Sequence, residues 1–242
     1  MAPRDDLDNA LEGWLTRAPA APILTYYGPD GARVELSAAT TANAVHKACN
    51  VFRDELFFDA GDVVWVDLPC HWQAPALILG AWAAGLTVAV GPPPADAAAT
   101  VTSDAGRLPA LGTGLAVSLH PLGMPLAAAT PAGWEDFAAL ARAAPDRADL
   151  AWPDADQPWL LAPQPWQASG LRAQGEELAR CWQLQRGSAL VSTRPPVDLV
   201  GVLASTLVPA LTAGRVVLVA DDPARVAQIS RQEGTDRTAT DV

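Results

Sequence analysis

Lysine is almost missing from this chain. Lys47 is the only one in 242 residues, and the other fifteen of the 16 basic residues are arginine. Any chemistry that needs a lysine at another position is therefore excluded. Positive charge is scarce as a whole, since 16 basic against 27 acidic residues give a net charge of −11. No basic stripe interrupts that excess. Nucleic acid is excluded as a partner, because its phosphates require clustered positive charge. Cysteine is rare as well: Cys49, Cys70 and Cys181 are odd in number and widely spaced. They form neither a disulfide framework nor a metal-binding pair, and fit apolar thiols in a reducing cytoplasm. His46, His71 and His120 show no His-x-His or His-Glu-x-x-His spacing, so no metal site is expected. Met1–Leu15 carries Arg4, Asp5, Asp6, Asp8 and Glu12 and lacks the apolar centre of a secretory leader.

What the chain does have is apolar bulk, 50% of residues against 18% charged, which excludes a disordered or collagen-like chain. This is enough material for a sizeable core. Leu68–Ala95 carries no charged residue and is longer than the about 20 residues that span a bilayer. Pro69, His71, Gln73, Gly80, Gly85 and Pro92–Pro94 interrupt it, however. A helix over 72–84, a stop at Gly85 and a strand over 86–90 account for it better than a membrane span. The uncharged run Leu199–Gly214, with Pro209 inside it, reads likewise as a buried helix.

Ile23–Tyr27 and Arg33–Leu36 flank the turn-forming Gly28-Pro29-Asp30-Gly31 and predict a β-hairpin. Ser37 is a helix cap for residues 38–56, where Val45, Ala48, Cys49, Phe52 and Leu56 recur at three- and four-residue spacing. Val63–Leu68, the helix 72–84 and the strand 86–90 make a strand–helix–strand unit, the signature of a parallel sheet. Short strands are expected at 99–103 and 115–120, and a helix at 134–143. A second series follows: strand 159–162, helix 171–185, strand 189–193, helix 197–212, strand 215–219. Asp221-Asp222-Pro223 opens a last helix, and 234–242 reads as a frayed tail. The division expected is a first α/β subdomain over 1–143, a linker rich in Pro, Asp and Ala over 144–158, and a second, partial subdomain over 159–242.

Most catalytic signatures fail. There is no Gly-rich loop ending in Lys-Ser/Thr, and Lys47 lies within a helix. Gly112-Thr113-Gly114 begins a dinucleotide-like pattern, but Val117 holds the place of the third glycine, which leaves a turn. Ala168-Ser169-Gly170 lacks the first glycine of a nucleophile elbow. The carboxylate pairs Asp154/Asp156 and Asp221/Asp222 sit beside prolines and suit caps and loops. Trp65, Trp72 and Trp82 fall in one apolar unit and suit a core.

The segment Leu24–Gly91 has a further order: a Thr-Tyr strand, a turn, a striped helix, Gly61-Asp62-Val63, a strand ending Leu68-Pro69, an apolar helix, Ala84-Gly85, a strand and Pro92. It resembles the N-terminal region of the AMP-dependent synthetases and ligases, which form acyl adenylates. Gly187–Thr193, Pro195, Gly201, Pro209, Leu211, Gly214 and Val216–Val219 resemble the stretch that follows the family's phosphate loop. The resemblance covers about four fifths of the chain, and within the superfamily it points to short actinobacterial-type proteins similar to AMP-binding enzymes. It implies an α/β fold of layered sheets as in the N-terminal part of acyl-CoA synthetase-like enzymes, in truncated form.

The departures from that pattern bear on function. The family's phosphate loop is rich in Ser, Thr and Gly and ends Pro-Lys-Gly; residues 161–170 read Leu-Ala-Pro-Gln-Pro-Trp-Gln-Ala-Ser-Gly. Two prolines there supply no N–H, and there is no lysine. Asp198 stands where many members carry a histidine, and a carboxylate would repel ATP or an acid substrate. The chain stops before the family's adenine-binding, aspartate and hinge motifs and its catalytic lysine. The expectation is a non-catalytic homologue acting by binding or protein contact, with no catalytic residue, metal or cofactor; ATP or AMP binding is implied by the family alone. Alternatives are a small-molecule binder with a remodelled acyl or nucleotide pocket, or one half of a split adenylate-forming enzyme. Trp159, Trp166, Ser169, Gly170, Asp198 and Gly201 are the candidate ligand residues. A protein partner or self-association fits this reading, and a membrane span does not.

Overall fold

The computed structural model describes residues 6–105, 112–220, 223–235 and 237–239; the expected carboxylate pair Asp221/Asp222 lies outside them. The elements run α1 (Asp6–Thr16), β1 (Pro22–Tyr27), β2 (Arg33–Ser37), α2 (Ala38–Asn50) continued by a π-helical turn (Val51–Glu55), β3 (Val63–Asp67), α3 (Gln73–Ala83) and β4 (Thr87–Ala89). Then come β5 (Ala99–Thr102), β6 (Thr113–Ala116), β7 (Trp134–Asp136), α4 (Phe137–Ala143), β8 (Leu160–Leu161) and β9 (Pro165–Trp166). The chain continues with α5 (Ala168–Cys181), β10 (Ala189–Ser192), α6 (Leu199–Ser205), α7 (Leu207–Leu211), β11 (Arg215–Val219), α8 (Pro223–Gln232) and β12 (Arg237–Thr238).

Two compact units share these elements. One is built from 1–42, 70–75 and 168–242, the other from 43–69 and 76–167. They are interleaved rather than consecutive, and residues 144–158 belong inside the second unit.

The first unit holds a five-stranded sheet in the order β12-β10-β11-β1-β2, parallel except for the hairpin partner β2. Alternation along its strands sends Leu24, Tyr26, Val216 and Leu218 to a cluster with Leu36 and Cys70. Tyr27, Val191, Val217 and Val219 join Ile229 of α8 in another cluster. This is the period-two pattern of a sheet covered on both faces. Leu7, Leu11, Trp14 and Leu15 of α1 are all buried, and the Trp14 indole N–H donates to Gly214 O at 2.8 Å. Glu233 ties distant parts of this unit together. It accepts from Tyr27 Oη at 2.6 Å, Arg33 Nη2 at 3.0 Å and Arg215 Nη1 at 2.9 Å. Burial works to raise its pKa, but these three donors prevail and hold it below the ordinary carboxylate range.

The second unit holds a seven-stranded sheet, β7-β6-β5-β3-β4-β8-β9, parallel except for β9. Every residue of α3 is buried, which explains a charge-free run without a membrane. No helix among the described residues is long and apolar enough to cross one.

Three elements differ from the sequence reading. Residues 197–212 form two helices that break at Thr206 (φ −124°, ψ −74°). Pro209 has no N–H for the Ser205 carbonyl, and the Ser205 and Thr206 hydroxyls donate back to Gly201 O and Val202 O at 3.0 and 2.6 Å. Trp134–Asp136 is a strand, and Asp136 caps the shorter helix α4 by accepting from Ala138 N and Ala139 N at 2.9 and 3.3 Å. The expected frayed tail contributes β12, paired in parallel with β10 through Leu190–Arg237 and Val191–Thr238.

Candidate functional site

Doubly wound sheets bind ligands beyond the carboxyl ends of their parallel strands. In the first unit that edge is formed by the ends of β1, β10 and β11. Asp198 lies there, with extended backbone (φ −146°, ψ 174°), as the cap of α6. Its Oδ1 accepts from Gly201 N at 2.7 Å, and its Oδ2 lies 3.8 Å from Arg194 Nη1. Asp198 and Gly201 are thus brought together, but for a structural purpose. A cap of this kind stabilises by about 1 kcal/mol, while a half-exposed ion pair contributes little. A Cβ at Gly201 would stand 2.1 Å from Pro195 O, so only glycine fits. Ser169 and Gly170 occupy the first turn of α5, Ser169 exposed and Gly170 half-buried.

The same edge holds residues that belong to no sequence motif. His71, 1% exposed, stands edge-on to Tyr26 with ring centroids 4.4 Å apart, and 5.7 Å from Trp72. Its Nδ1 accepts from Gln73 N at 3.2 Å, which assigns the ring proton of the neutral form to Nε2. Cys70 Sγ is 3.8 Å from Ser192 O. No spacing rule marks this group, because Cys70–Gln73 meets β1 and β10 only through the fold.

In the second unit, Trp159 immediately precedes the β8–β9 hairpin, in which Leu160 pairs with Trp166, and its N–H donates to Trp166 O at 2.9 Å. Trp159 is a core residue, 1% exposed. It stacks on Trp152 at 5.9 Å and 4° and tilts against Trp82 at 5.8 Å, and its carbonyl accepts from Trp82 Nε1 at 2.6 Å. Trp166 is half-buried. Of the segment 161–170 expected to stand in for the phosphate loop, residues 161–166 turn back tightly, with Ala162 N donating to Gln164 O at 3.0 Å and Pro163 and Pro165 lacking an N–H, and residues 168–170 open α5. The two prolines remove two of the backbone amides with which an anion-binding loop would hold its ligand.

The single lysine lies elsewhere in the second unit. Lys47 Nζ donates to Ala144 O at 2.7 Å and Ala141 O at 3.1 Å, and pairs with Asp146 at 2.9 Å. The dinucleotide-like Gly112 has a packing reason, since a Cβ there would meet Ala98 O at 2.0 Å. No group of three or more His, Cys, Asp or Glu among the described residues is placed to hold a metal ion.

Both sheets, each parallel with one antiparallel strand at its edge, find a counterpart in a solved enzyme. The crystal structure of a Brucella canis acyl-CoA synthetase superposes with a TM-score of 0.76 over 97% of this chain. The fold is that of an acyl-CoA synthetase. Sequence identity in that superposition is 18%, and the chain covers 50% of the enzyme. A "TIGR03089 family protein" of Mycobacterium tuberculosis is 36% identical over 140 residues, 54% of this chain and 57% of that protein. The chain thus spans about half the length of the proteins it matches. No family model matches it.

Proposed function

We propose that this chain uses the acyl-CoA synthetase fold as a binding or protein-contact module and does not form adenylates itself. The observation that carries this reading is the commitment of its lysine. A triphosphate is held by amide donors and cations aimed at its oxygens, and attack at the α-phosphate needs that charge stabilisation in the transition state. The segment 161–170, which the resemblance sets against the phosphate loop, begins with a proline-containing hairpin. Its only lysine is bound to two backbone carbonyls and a carboxylate of the segment 141–146. Asp198 caps a helix and adds negative charge beside the strand ends.

Titration calorimetry with magnesium-ATP tests the reading. The expected result is no saturable heat tighter than about 1 mM, which corresponds to roughly −4 kcal/mol. A micromolar dissociation constant would overturn it.

A further inference from the structure

One face of α2 carries Asn43, His46, Lys47 and Asn50, and Arg53 extends it into the π-helical turn. These residues recur at three- and four-residue steps, so they line one stripe of the helix surface. Each bonds the backbone of the segment between α4 and β8, all within the second unit. Asn43 Nδ2 reaches Asp146 O at 3.5 Å, Asn50 Nδ2 donates to Pro145 O and Arg147 O at 2.9 and 3.0 Å, and Arg53 Nη1 donates to Asp149 O at 2.5 Å. Lys47 adds Ala141 O and Ala144 O. The stretch expected to be a linker is a strap laid along α2.

Four of these five side chains donate. His46 is the exception, because its Nδ1 accepts the Ala148 N–H at 3.1 Å. An imidazolium has a proton on both nitrogens and accepts nothing. We propose that the 144–150 strap is a pH-sensitive latch, closed while His46 is neutral and released at Ala148 when His46 takes a proton.

The charges around the ring support this. Burial, and after it the charge of Arg147 on the strap, hold the His46 pKa below its ordinary value. Lys47 and Asp146 are paired with each other at 2.9 Å, and Arg53 pairs with Asp54 at 3.0 Å. Asp149 carries the carbonyl that Arg53 holds, Cys49 is a thiol raised to about 11 by burial, and Arg142 lies in the last turn of α4. Helix α3, packed on α2 where Gly80 meets Ala48, has no ionisable side chain. A depressed histidine pKa means that the folded state binds fewer protons than the unfolded state. The latch is therefore complete above the ordinary histidine value of about 6.5 and weakens as pH falls through it toward the folded value. Directly beyond the strap, Ala151 N donates to Ala83 O at 2.7 Å, and Trp152 stacks on Trp159, the residue before the β8–β9 hairpin. Release at Ala148 would thus slacken the lead-in to that hairpin.

Amide hydrogen exchange of the full chain, resolved by NMR and corrected for intrinsic rates, tests the proposal. Between pH 7.5 and pH 5, exchange at Ala148 should rise by roughly threefold or more, while the β3 amides of Val64 and Trp65 stay constant. In His46→Gln, Ala148 exchange should no longer depend on pH. Unchanged protection of Ala148 in the wild-type protein would overturn the latch, with or without a folded variant. So would a parallel loss at Ala148 and in β3, which marks general loosening, or the wild-type profile persisting in a folded His46→Gln.

Discussion

Replacing Lys47 by methionine is expected to lower stability by roughly 2–3 kcal/mol, a loss of about 4–12 °C in melting temperature for a chain of this size. Methionine keeps the length and apolar stem of the side chain but removes the ammonium. Ala141 O and Ala144 O then lose a charged donor, and such hydrogen bonds are worth more than neutral ones. The ion pair with Asp146 adds little to this loss, because Asp146 is 75% exposed and solvent screens it. Thermal melts of the two proteins at pH 7.5 measure the difference. A lysine kept for catalysis on a mobile segment would instead leave the melt unchanged when replaced.

Gly80→Leu should cost more, about 3 kcal/mol or above, and Gly80→Ala already about 1–2. Helices α2 and α3 approach so closely that a Cβ at Gly80 would stand 2.4 Å from Ala48 Cβ and 3.1 Å from Val45 O. Neither neighbour is the flexible end of a long side chain, so the helices must separate. Exposed glycine-to-alanine changes in helices usually stabilise by about 1 kcal/mol, so the sign of the effect decides between packing and propensity. Adding Ala48→Gly to Gly80→Ala should recover roughly 1 kcal/mol, a coupling that residues in contact show and distant ones do not. Urea unfolding of the single and double variants measures this. A stabilised Gly80→Ala would contradict the packing described.

Local pattern made much of this fold legible. The hairpin around Gly28-Pro29-Asp30-Gly31, the βαβ unit over residues 63–89 and the parallel β10–β11 pair stand where alternation and turn residues place them. The stripe Leu7, Leu11, Trp14 and Leu15 is also readable as a helix from its three- and four-residue spacing. What stayed hidden depends on long-range contact. The two units interleave, and nothing near Trp14 announces that its indole will reach Gly214. A proline-rich stretch reads as a linker until the carbonyls of 144–149 are seen to meet the α2 stripe, although Asn43, His46, Lys47 and Asn50 at helical spacing are the signal that marks it.

The candidate site divides along the same line. Pro-Pro-Val-Asp before an apolar run is a helix-start signature, and Asp198 fulfils it as a cap. Trp159 is legible as an aromatic in an apolar strand, but its stacking on Trp152 and its tilted contact with Trp82 make it core. The contact of His71 with Tyr26 joins residues 45 positions apart by number (71 − 26), which no local pattern reports.

The most direct test of the central claim is exchange of labelled pyrophosphate into ATP by the purified chain, across a panel of fatty, aromatic and amino acids. With its lysine bonded to a strap and a proline-containing hairpin in the segment proposed to stand in for the phosphate loop, the chain should give no carboxylate-dependent exchange above a no-enzyme blank. Exchange that depends on one of those acids, and that disappears in a folded Lys47→Met variant, would contradict it.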